Sequence, residues 1–231
     1  MSLAEVLADL RRQMPLAASA RTRDRPLPSG IDALDRALAG GLPRRAITEV
    51  GGERASAGRA ALALRVLASA TARGEACAWI DGTDGFHALS AHAAGVDLAR
   101  VLWVRGASGQ AAKACDLVLE AGGFGLVVLD ARGPSHTPSD GLMQHVPSDG
   151  LMQPRAPLPA ARLARRAETS SATLLILGDT PLCGAFASTR LALDARPRWR
   201  ERSLGALVAR VRVVRARGAR EGAEIAIDFG T

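Results

Sequence analysis

The hydrophobic positions between residues 30 and 130 follow two alternating periodicities. Short, continuous apolar runs alternate with segments in which apolar side chains recur every three or four positions. The first pattern is typical of buried strands and the second of amphipathic helices. It predicts strands at 46–50, 76–81, 101–104 and 125–130, and helices at 31–38, 58–73, 88–94 and 110–120. Strands that alternate with helices indicate a mostly parallel sheet with helices on both faces.

The pattern changes in the last third of the chain. A helix at 159–168 and a buried strand at 172–177 continue the alternation. Three further strands then follow without helices between them, at 189–194, 207–215 and 223–229. In the second of these, Arg210 and Arg212 alternate with valines, as expected for a half-buried antiparallel strand. The sequence therefore predicts an α/β fold whose mostly parallel, helix-sandwiched sheet ends in an antiparallel meander.

The N-terminal segment is predicted to be separate from this core. A capping-box pattern opens a predicted short amphipathic helix over residues 2–14. The apolar face of this helix consists of Leu3, Val6, Leu7 and Leu10. Residues 15–28 are polar, basic and bounded by prolines, which is typical of a linker. We therefore assign residues 1–28 to a helix and linker and residues 29–231 to one core domain, with the helix as a candidate interaction element.

Residues 131–160 form a predicted variable loop inside the core. They are rich in Pro, Gly, Ser and His, and they contain a perfect tandem repeat, PSDGLMQ, at 138–144 and again at 147–153. Two units are too few for a solenoid, so a duplication in a tolerant loop is the simpler interpretation. The Leu-Met pair of each unit either contacts a partner or belongs to a passive loop, and the sequence leaves both alternatives open.

Composition excludes several classes of protein. A hydrophobic content of 48% over 231 residues excludes a disordered chain and suffices for one well-buried domain. No stretch approaches the roughly 20 apolar residues of a membrane helix, and the start of the chain lacks a secretory pattern. The three cysteines, Cys77, Cys115 and Cys183, lack the spacing of a metal site. We predict buried free thiols, no metal site, no membrane partner and a cytoplasmic location.

Positive charge is concentrated in one segment. Between Arg155 and Arg220 there are 14 arginines and four acidic residues, a local net charge of +10, whereas the rest of the chain carries −3. Such a segment suits a polyanion or an acidic protein partner, unless it is simply a solvated surface. The candidate basic surface comprises Arg198, Arg200, Arg202, Arg210 and Arg212. If it contacts DNA, binding should be weak and independent of sequence.

The first predicted strand, the turn after it and the next helix form the setting of a phosphate-binding loop. Residues 51–60 read GGERASAGRA. Counted back from Gly58, the first glycine of the motif falls at Glu53, unless the loop has one extra residue after Gly52. Arg59 takes the position of the motif's lysine, and Ala60 replaces the hydroxyl that would hold magnesium. The candidate nucleotide-binding residues, interpreted as vestigial, are Gly52, Ser56, Gly58, Arg59, Ala60 and Asp130.

Eight segments, in the same order and at compatible spacings, resemble the core of the RecA recombinase family. They are LPSGIDALD (27–35), AGGLPR (39–44), ITEV (47–50), CAWID (77–81), AGVDL (94–98), LVVLD (126–130), TLLIL (173–177) and EIAIDFG (224–230). The resemblance covers nearly the whole chain from residue 27 onward. It implies a RecA-like core.

The departures from that family fall on the positions that carry its chemistry. The resemblance places Thr83 where recombinases have the glutamate that activates water, and a threonine hydroxyl is no base at neutral pH. Asp179 stands beside the position of the glutamine that senses the terminal phosphate, and residues 180–188 are shorter than the family's DNA-binding loop. Asp130 matches the metal-linked aspartate, although capping the next turn would explain it equally well.

The short RecA relatives with eroded phosphate loops are the ImuA lineage, and the chain resembles them. This implies a non-hydrolysing adaptor of SOS-induced translesion synthesis that contacts RecA and ImuB, with no catalytic residues and no bound ATP or magnesium. By analogy with RecA, the helix at 2–14 would contact a neighbouring protein or a second copy of the chain. The alternatives are a RecA paralogue that binds DNA and a structural nucleotide, and a slow ATPase that uses Arg59 and Asp130.

Overall fold

The computed structural model describes residues 9, 25–52, 58–105, 110–132, 157–200 and 203–229. The strands are β1 (Ala46–Gly51), β2 (Cys77–Asp81), β3 (Val101–Val104), β4 (Leu126–Asp130), β5 (Thr173–Leu177), β6 (Ala187–Arg200), β7 (Ser203–Ala216) and β8 (Glu224–Asp228). The helices of this part of the chain are α1 (Asp32–Ala37), α2 (Arg59–Ala72), α3 (Ala88–Ala93), α4 (Ala111–Ala121) and α5 (Ala160–Ser170). Short 3-10 turns lie at Leu98–Arg100 and Gly184–Phe186.

All eight strands belong to one sheet, in the order β3-β2-β4-β5-β1-β6-β7-β8. Neighbouring strands from β3 to β6 are parallel, and β6-β7 and β7-β8 are antiparallel. The predicted α/β fold with an antiparallel C-terminal meander is therefore confirmed. Because the carboxyl ends of parallel strands meet at one edge, the residues that follow β1, β2, β4 and β5 are brought together there.

Two hydrophobic clusters hold the helices to opposite faces of the parallel strands. On one face, α1, α2 and α3 contribute buried side chains such as Leu34, Leu62 and Ala91. On the other, α4 and α5 contribute residues such as Leu119 and Leu163. Every residue of β2, β4 and β5 is buried, which explains the continuous apolar runs of these strands.

The β6-β7 hairpin is longer than the hydrophobic pattern predicts. Each strand has 14 residues, and the pairing continues through Arg196 opposite Val208 and Arg198 opposite Ala206. The extension is not predicted from the sequence, because the arginines and Pro197 interrupt the apolar alternation that indicates a strand. Backbone pairing between the two strands nevertheless extends the sheet.

The core begins earlier in the chain than the predicted boundary at residue 29. Leu27 is fully buried, and its backbone exchanges two hydrogen bonds of 2.7 Å with Leu42. Gly41 lies against this bridge with φ +132°, and a Cβ added there would be 2.3 Å from the Leu27 carbonyl oxygen. This position therefore requires glycine. Apart from Asp9, the helix predicted at 2–14, with Leu3, Val6, Leu7 and Leu10, lies outside the described residues, as does the repeat at 138–153.

The three cysteines are buried and free, as predicted from their spacing. Burial raises the pKa of all three thiols, and it raises that of Cys183 to about 12. These thiols are therefore neutral near pH 7 and poor nucleophiles. Within the described ranges, none of the helices combines the length and apolar character needed to cross a bilayer.

Candidate functional site

Charged and polar side chains converge where four parallel strands end. Strand β1 ends at Gly51, β2 at Asp81, β4 at Asp130 and β5 at Leu177, which Gly178 and Asp179 follow. Helix α2 begins at Arg59 beside this edge. The carboxyl edge of an open parallel sheet is the usual place for a binding site. This edge is therefore the candidate functional site.

Arg59 links the beginning of α2 to the ends of β1 and β5. One terminal nitrogen of its guanidinium donates to the Gly52 carbonyl oxygen at 3.0 Å, and the other donates to the Asp179 carboxylate at 2.7 Å. The Arg59 side chain is 1% exposed, whereas that of Asp179 is 47% exposed. Burial lowers the pKa of Arg59, and the Asp179 charge opposes that change. Arginine stays charged at neutral pH, so a buried cation is balanced by a half-exposed carboxylate.

Asp130, at the end of β4, forms a second internal ion pair. It is fully buried, and its two oxygens accept hydrogen bonds from Arg132 at 2.8 Å and 2.5 Å. The Thr83 hydroxyl also donates to this carboxylate, at 3.1 Å. Hydrogen bonding to Asp130 raises the pKa of Arg132. After burial and Asp179, the charge of Arg132 lowers the pKa of Arg59 and that of Asp130 raises it, so both groups lie within electrostatic reach of Arg59.

Asp81 fixes the turn that carries Thr83. Its carboxylate accepts the backbone N–H groups of Gly85 at 2.9 Å and Phe86 at 3.0 Å. The indole N–H of Trp103 donates to the same carboxylate at 3.2 Å. Asp81 therefore acts as a capping group for the turn after β2. Sequence reasoning did not select Asp81 for this role, although an aspartate before a glycine at a strand end is a recognisable turn signal.

The two glycines on either side of residues 53–57 are packed closely against β6. A Cβ added at Gly52 would lie 2.2 Å from the Leu193 carbonyl oxygen. Gly58 has φ +76°, and an added Cβ there would lie 3.0 Å from that of Ala195. Both positions therefore require glycine, for close approach at the first and for left-handed backbone at the second. The intervening residues 53–57, including Ser56, lie outside the described ranges. Ala60 follows Arg59 on α2 and has no hydroxyl.

The structure brings most of the predicted nucleotide-site residues to one place. Gly52 and Arg59 are in direct contact, and Asp130 lies within electrostatic reach of Arg59. The sequence motifs do not single out Arg132, which holds Asp130. The available signal was its position two residues after Asp130, at the end of a buried strand.

A cleft of about 820 Å³ adjoins this edge. Its lining includes Gly52 and Asp179 together with the arginines Arg196, Arg210 and Arg212. Of the predicted basic surface, Arg198, Arg210 and Arg212 are exposed on β6 and β7, while the side chains of Arg200 and Arg202 lie outside the described residues. Acidic neighbours approach these arginines only loosely. The pairs are Arg196–Asp194 at 3.8 Å, Arg198–Asp228 at 3.8 Å and Arg210–Glu224 at 4.0 Å. Exposed pairs of this kind contribute little to stability.

A mostly parallel sheet with one glycine after β1 and another before α2, and with charged residues at the ends of β4 and β5, defines a RecA-like α/β core. The family described as the RecA N-terminal domain matches residues 11–156, and the chain belongs to that family.

Individual relatives agree with this assignment. Protein RecA of Mesorhizobium japonicum is 36% identical over 107 residues, which are 46% of this chain and 29% of that protein. The chain therefore matches less than a third of the length of this relative. The crystal structure of the RadB recombinase is similar with a TM-score of 0.61 at 19% identity, covering 87% of this chain and 95% of that one. At that identity, the likeness concerns the fold.

Proposed function

We propose that the chain is a non-hydrolysing adaptor of the RecA family that resembles ImuA and acts with RecA and ImuB in SOS-induced translesion synthesis. The observation that carries the proposal is the internal pairing of the site's charges. Arg59 is bound to Asp179, and Asp130 is bound to Arg132. Arg59 and Asp130, which would serve a nucleotide, are instead each engaged in an ion pair with another residue of the chain.

Phosphoryl transfer depends on cations that meet the phosphates and on oxygen ligands that hold magnesium. The carboxylate of Asp179 beside Arg59 would repel a phosphate. Both oxygens of Asp130 already accept hydrogen bonds, and Ala60 has no hydroxyl to offer a metal. Thr83 donates to Asp130 and is no base at neutral pH. These residues do not fit a magnesium–nucleotide complex, and we derive no hydrolytic step for the chain.

A RecA-like core that does not hydrolyse ATP acts by binding other molecules at its surface. In this proposal, the predicted helix at 2–14 contacts RecA or a second copy of the chain, because its apolar face cannot be buried within one isolated helix. The full chain and a chain lacking residues 1–14 should be compared for retention by immobilised RecA and ImuB, with a thermal melt of each. The deletion is expected to abolish retention by RecA and to leave the melting temperature of the core unchanged.

Point variants give this experiment a matched control. Replacing Leu3 and Leu7 with Asp should reproduce the deletion, whereas replacing Arg11 and Arg12 with Ala should not. A deletion that lowers the melting temperature instead would place the helix on its own core, since each buried leucine contributes about 1.5–3 kcal/mol. A full chain that neither RecA nor ImuB retains would contradict the adaptor function.

The exposed arginines of β6 and β7 favour a second candidate function, a RecA paralogue that binds DNA. Arg198, Arg210 and Arg212 lie on one exposed face, and the last two line the cleft beside Gly52. Calorimetry with magnesium ATP separates the two candidates. Binding in the micromolar range would favour the paralogue with a structural nucleotide, and the absence of binding heat would favour the adaptor.

A further inference from the structure

We propose that the Asp179 carboxylate takes the place that a phosphate group would occupy beside Arg59. In this way it closes a potential binding site for phosphate-like dianions at this edge of the sheet. The inference rests on the proposed loss of hydrolysis and adds the device that keeps phosphate out. Its starting point is the contact of 2.7 Å between the Arg59 guanidinium and one Asp179 oxygen.

The two partners differ sharply in their surroundings. Arg59 is almost fully buried, whereas about half of the Asp179 side chain is exposed. Within the described residues, the Nε of Arg59 is also buried and has no hydrogen-bond partner. A buried guanidinium requires a counter-ion, and Asp179 is the carboxylate in direct contact with it. The cation is therefore held inside the protein, while its anion lies at the surface, where a larger anion can reach it.

The space beside Asp179 suits a larger anion. Asp179 lines the cleft of about 820 Å³ together with Gly51 and Gly52, which end β1. Gly178, the residue before Asp179, is tied to β1, since its N–H donates to the Val50 carbonyl oxygen at 3.0 Å. A dianion that displaced the carboxylate would bring more charge and more acceptor oxygens to the same guanidinium. Removal of the Asp179 charge should therefore open the site to phosphate groups.

The test uses the full chain, inorganic pyrophosphate as the probe, and sodium chloride at matched ionic strength as the salt control. In chloride, Asp179→Asn is expected to lower the melting temperature by roughly 2–8 °C, because Arg59 loses its counter-ion. Pyrophosphate should then raise the melting temperature of this variant by roughly 5 °C or more through mass action. The wild-type chain and the double variant Arg59→Met/Asp179→Asn should not respond to pyrophosphate beyond the chloride control.

Two results would overturn the proposal. One is an Asp179→Asn chain that ignores pyrophosphate, and the other is a double variant that responds to it equally. If Asp179→Asn does not fold in chloride, its folding in pyrophosphate decides the question. A cooperative melt that appears only in pyrophosphate supports the proposal, and its absence is the first of these two results.

Parallel melts of Asp179→Asn with ATP and with a short single-stranded oligonucleotide identify the source of the phosphate group. A response to pyrophosphate and ATP alone supports a free or nucleotide phosphate. A response to the oligonucleotide as well supports a nucleic-acid backbone. ATP turnover by the wild-type chain would contradict both the proposed function and the closed site. A lack of pyrophosphate response in Asp179→Asn would contradict the closed site alone, so the two failures can be distinguished.

Discussion

Arg132 lies two residues after Asp130 and donates to both oxygens of its carboxylate, at 2.8 Å and 2.5 Å. The pair stands at the end of β4, where the resemblance to recombinases places the metal-linked aspartate. Asp130 and Arg132 are so close in sequence that formation of the turn after β4 is enough to bring their side chains together. A bidentate arginine–carboxylate contact is strong and geometrically specific. It therefore competes directly with any metal for the same oxygens.

Magnesium should leave the wild-type chain unchanged. We expect the same melting temperature with and without millimolar magnesium chloride, because Arg132 engages both oxygens of Asp130. Asp130→Asn should lower the melting temperature by roughly 2–8 °C, since it leaves Arg132 without its buried partner. The control is Asp84→Asn, which removes an exposed pair with Arg105 and should have almost no effect. A magnesium-dependent rise in the wild-type chain that Asp130→Asn abolishes would reveal a metal site.

The sequence predicts the parallel part of the fold well, because central strands are buried on both faces and read as continuous apolar runs. It also predicts the place of the site, since a glycine-rich turn before a helix is a local signal. It does not predict that Arg59 meets Asp179, because these residues lie 120 positions apart and become neighbours only when β5 pairs beside β1. The hydrophobic pattern does not predict the burial of Leu27 for a different reason. The prolines on both sides of it give the segment the composition of a linker.

Glu75 should be among the most important charged residues for stability. Arg44 donates to its two oxygens at 2.7 Å and 2.6 Å and to the Gly125 carbonyl oxygen at 2.9 Å. The two side chains are 5% and 1% exposed. Removal of one partner leaves a buried charge unpaired, so Glu75→Ala should lower the free energy of unfolding by about 3–5 kcal/mol in urea titrations. Glu120→Ala, which removes an exposed carboxylate, is the control. Equal effects of the two substitutions would refute the importance of the Arg44 pair.

Asp116 should make the stability of the chain depend on acidic pH. Burial favours a higher pKa for this carboxyl, but hydrogen bonds from Arg162 and Arg166 outweigh it and hold the pKa below the ordinary value. A carboxyl with a depressed folded-state pKa contributes stability that is present above the unfolded value, about 3.9, and is lost as pH falls through the folded value.

Thermal melts of the wild-type chain and Asp116→Asn between neutral pH and about pH 2 test this linkage. The wild-type chain should be more stable at neutral pH, and the gap should close as the pH falls below about 4. A gap of constant size across this range would mean that the ionised carboxylate of Asp116 does not contribute to stability through its arginine partners.

The arginines of β6 and β7 should determine how any DNA binding responds to salt. Reversal of Arg198, Arg210 and Arg212 to Glu should flatten the dependence of log K on log salt for a single-stranded oligonucleotide. The slope, measured by fluorescence anisotropy, is expected to change by about 0.7 for each phosphate that the variant no longer neutralises. Reversal of Arg65 and Arg73, which are exposed in the middle of α2 and just after its end, is the control and should change the slope less. An unchanged slope in the triple variant would mean that these arginines contact a protein partner or solvent and not DNA.

In the proposed function, the paired charges at the carboxyl edge of the sheet leave the chain unable to hydrolyse ATP. Steady-state hydrolysis of magnesium ATP by the full chain, with and without single-stranded DNA, measures this directly. Because Arg59 is bound to Asp179 and Asp130 to Arg132, we expect turnover at the level of a blank without protein. A turnover number near the ordinary enzyme range of about 1 per second, abolished by Asp130→Asn, would contradict the account.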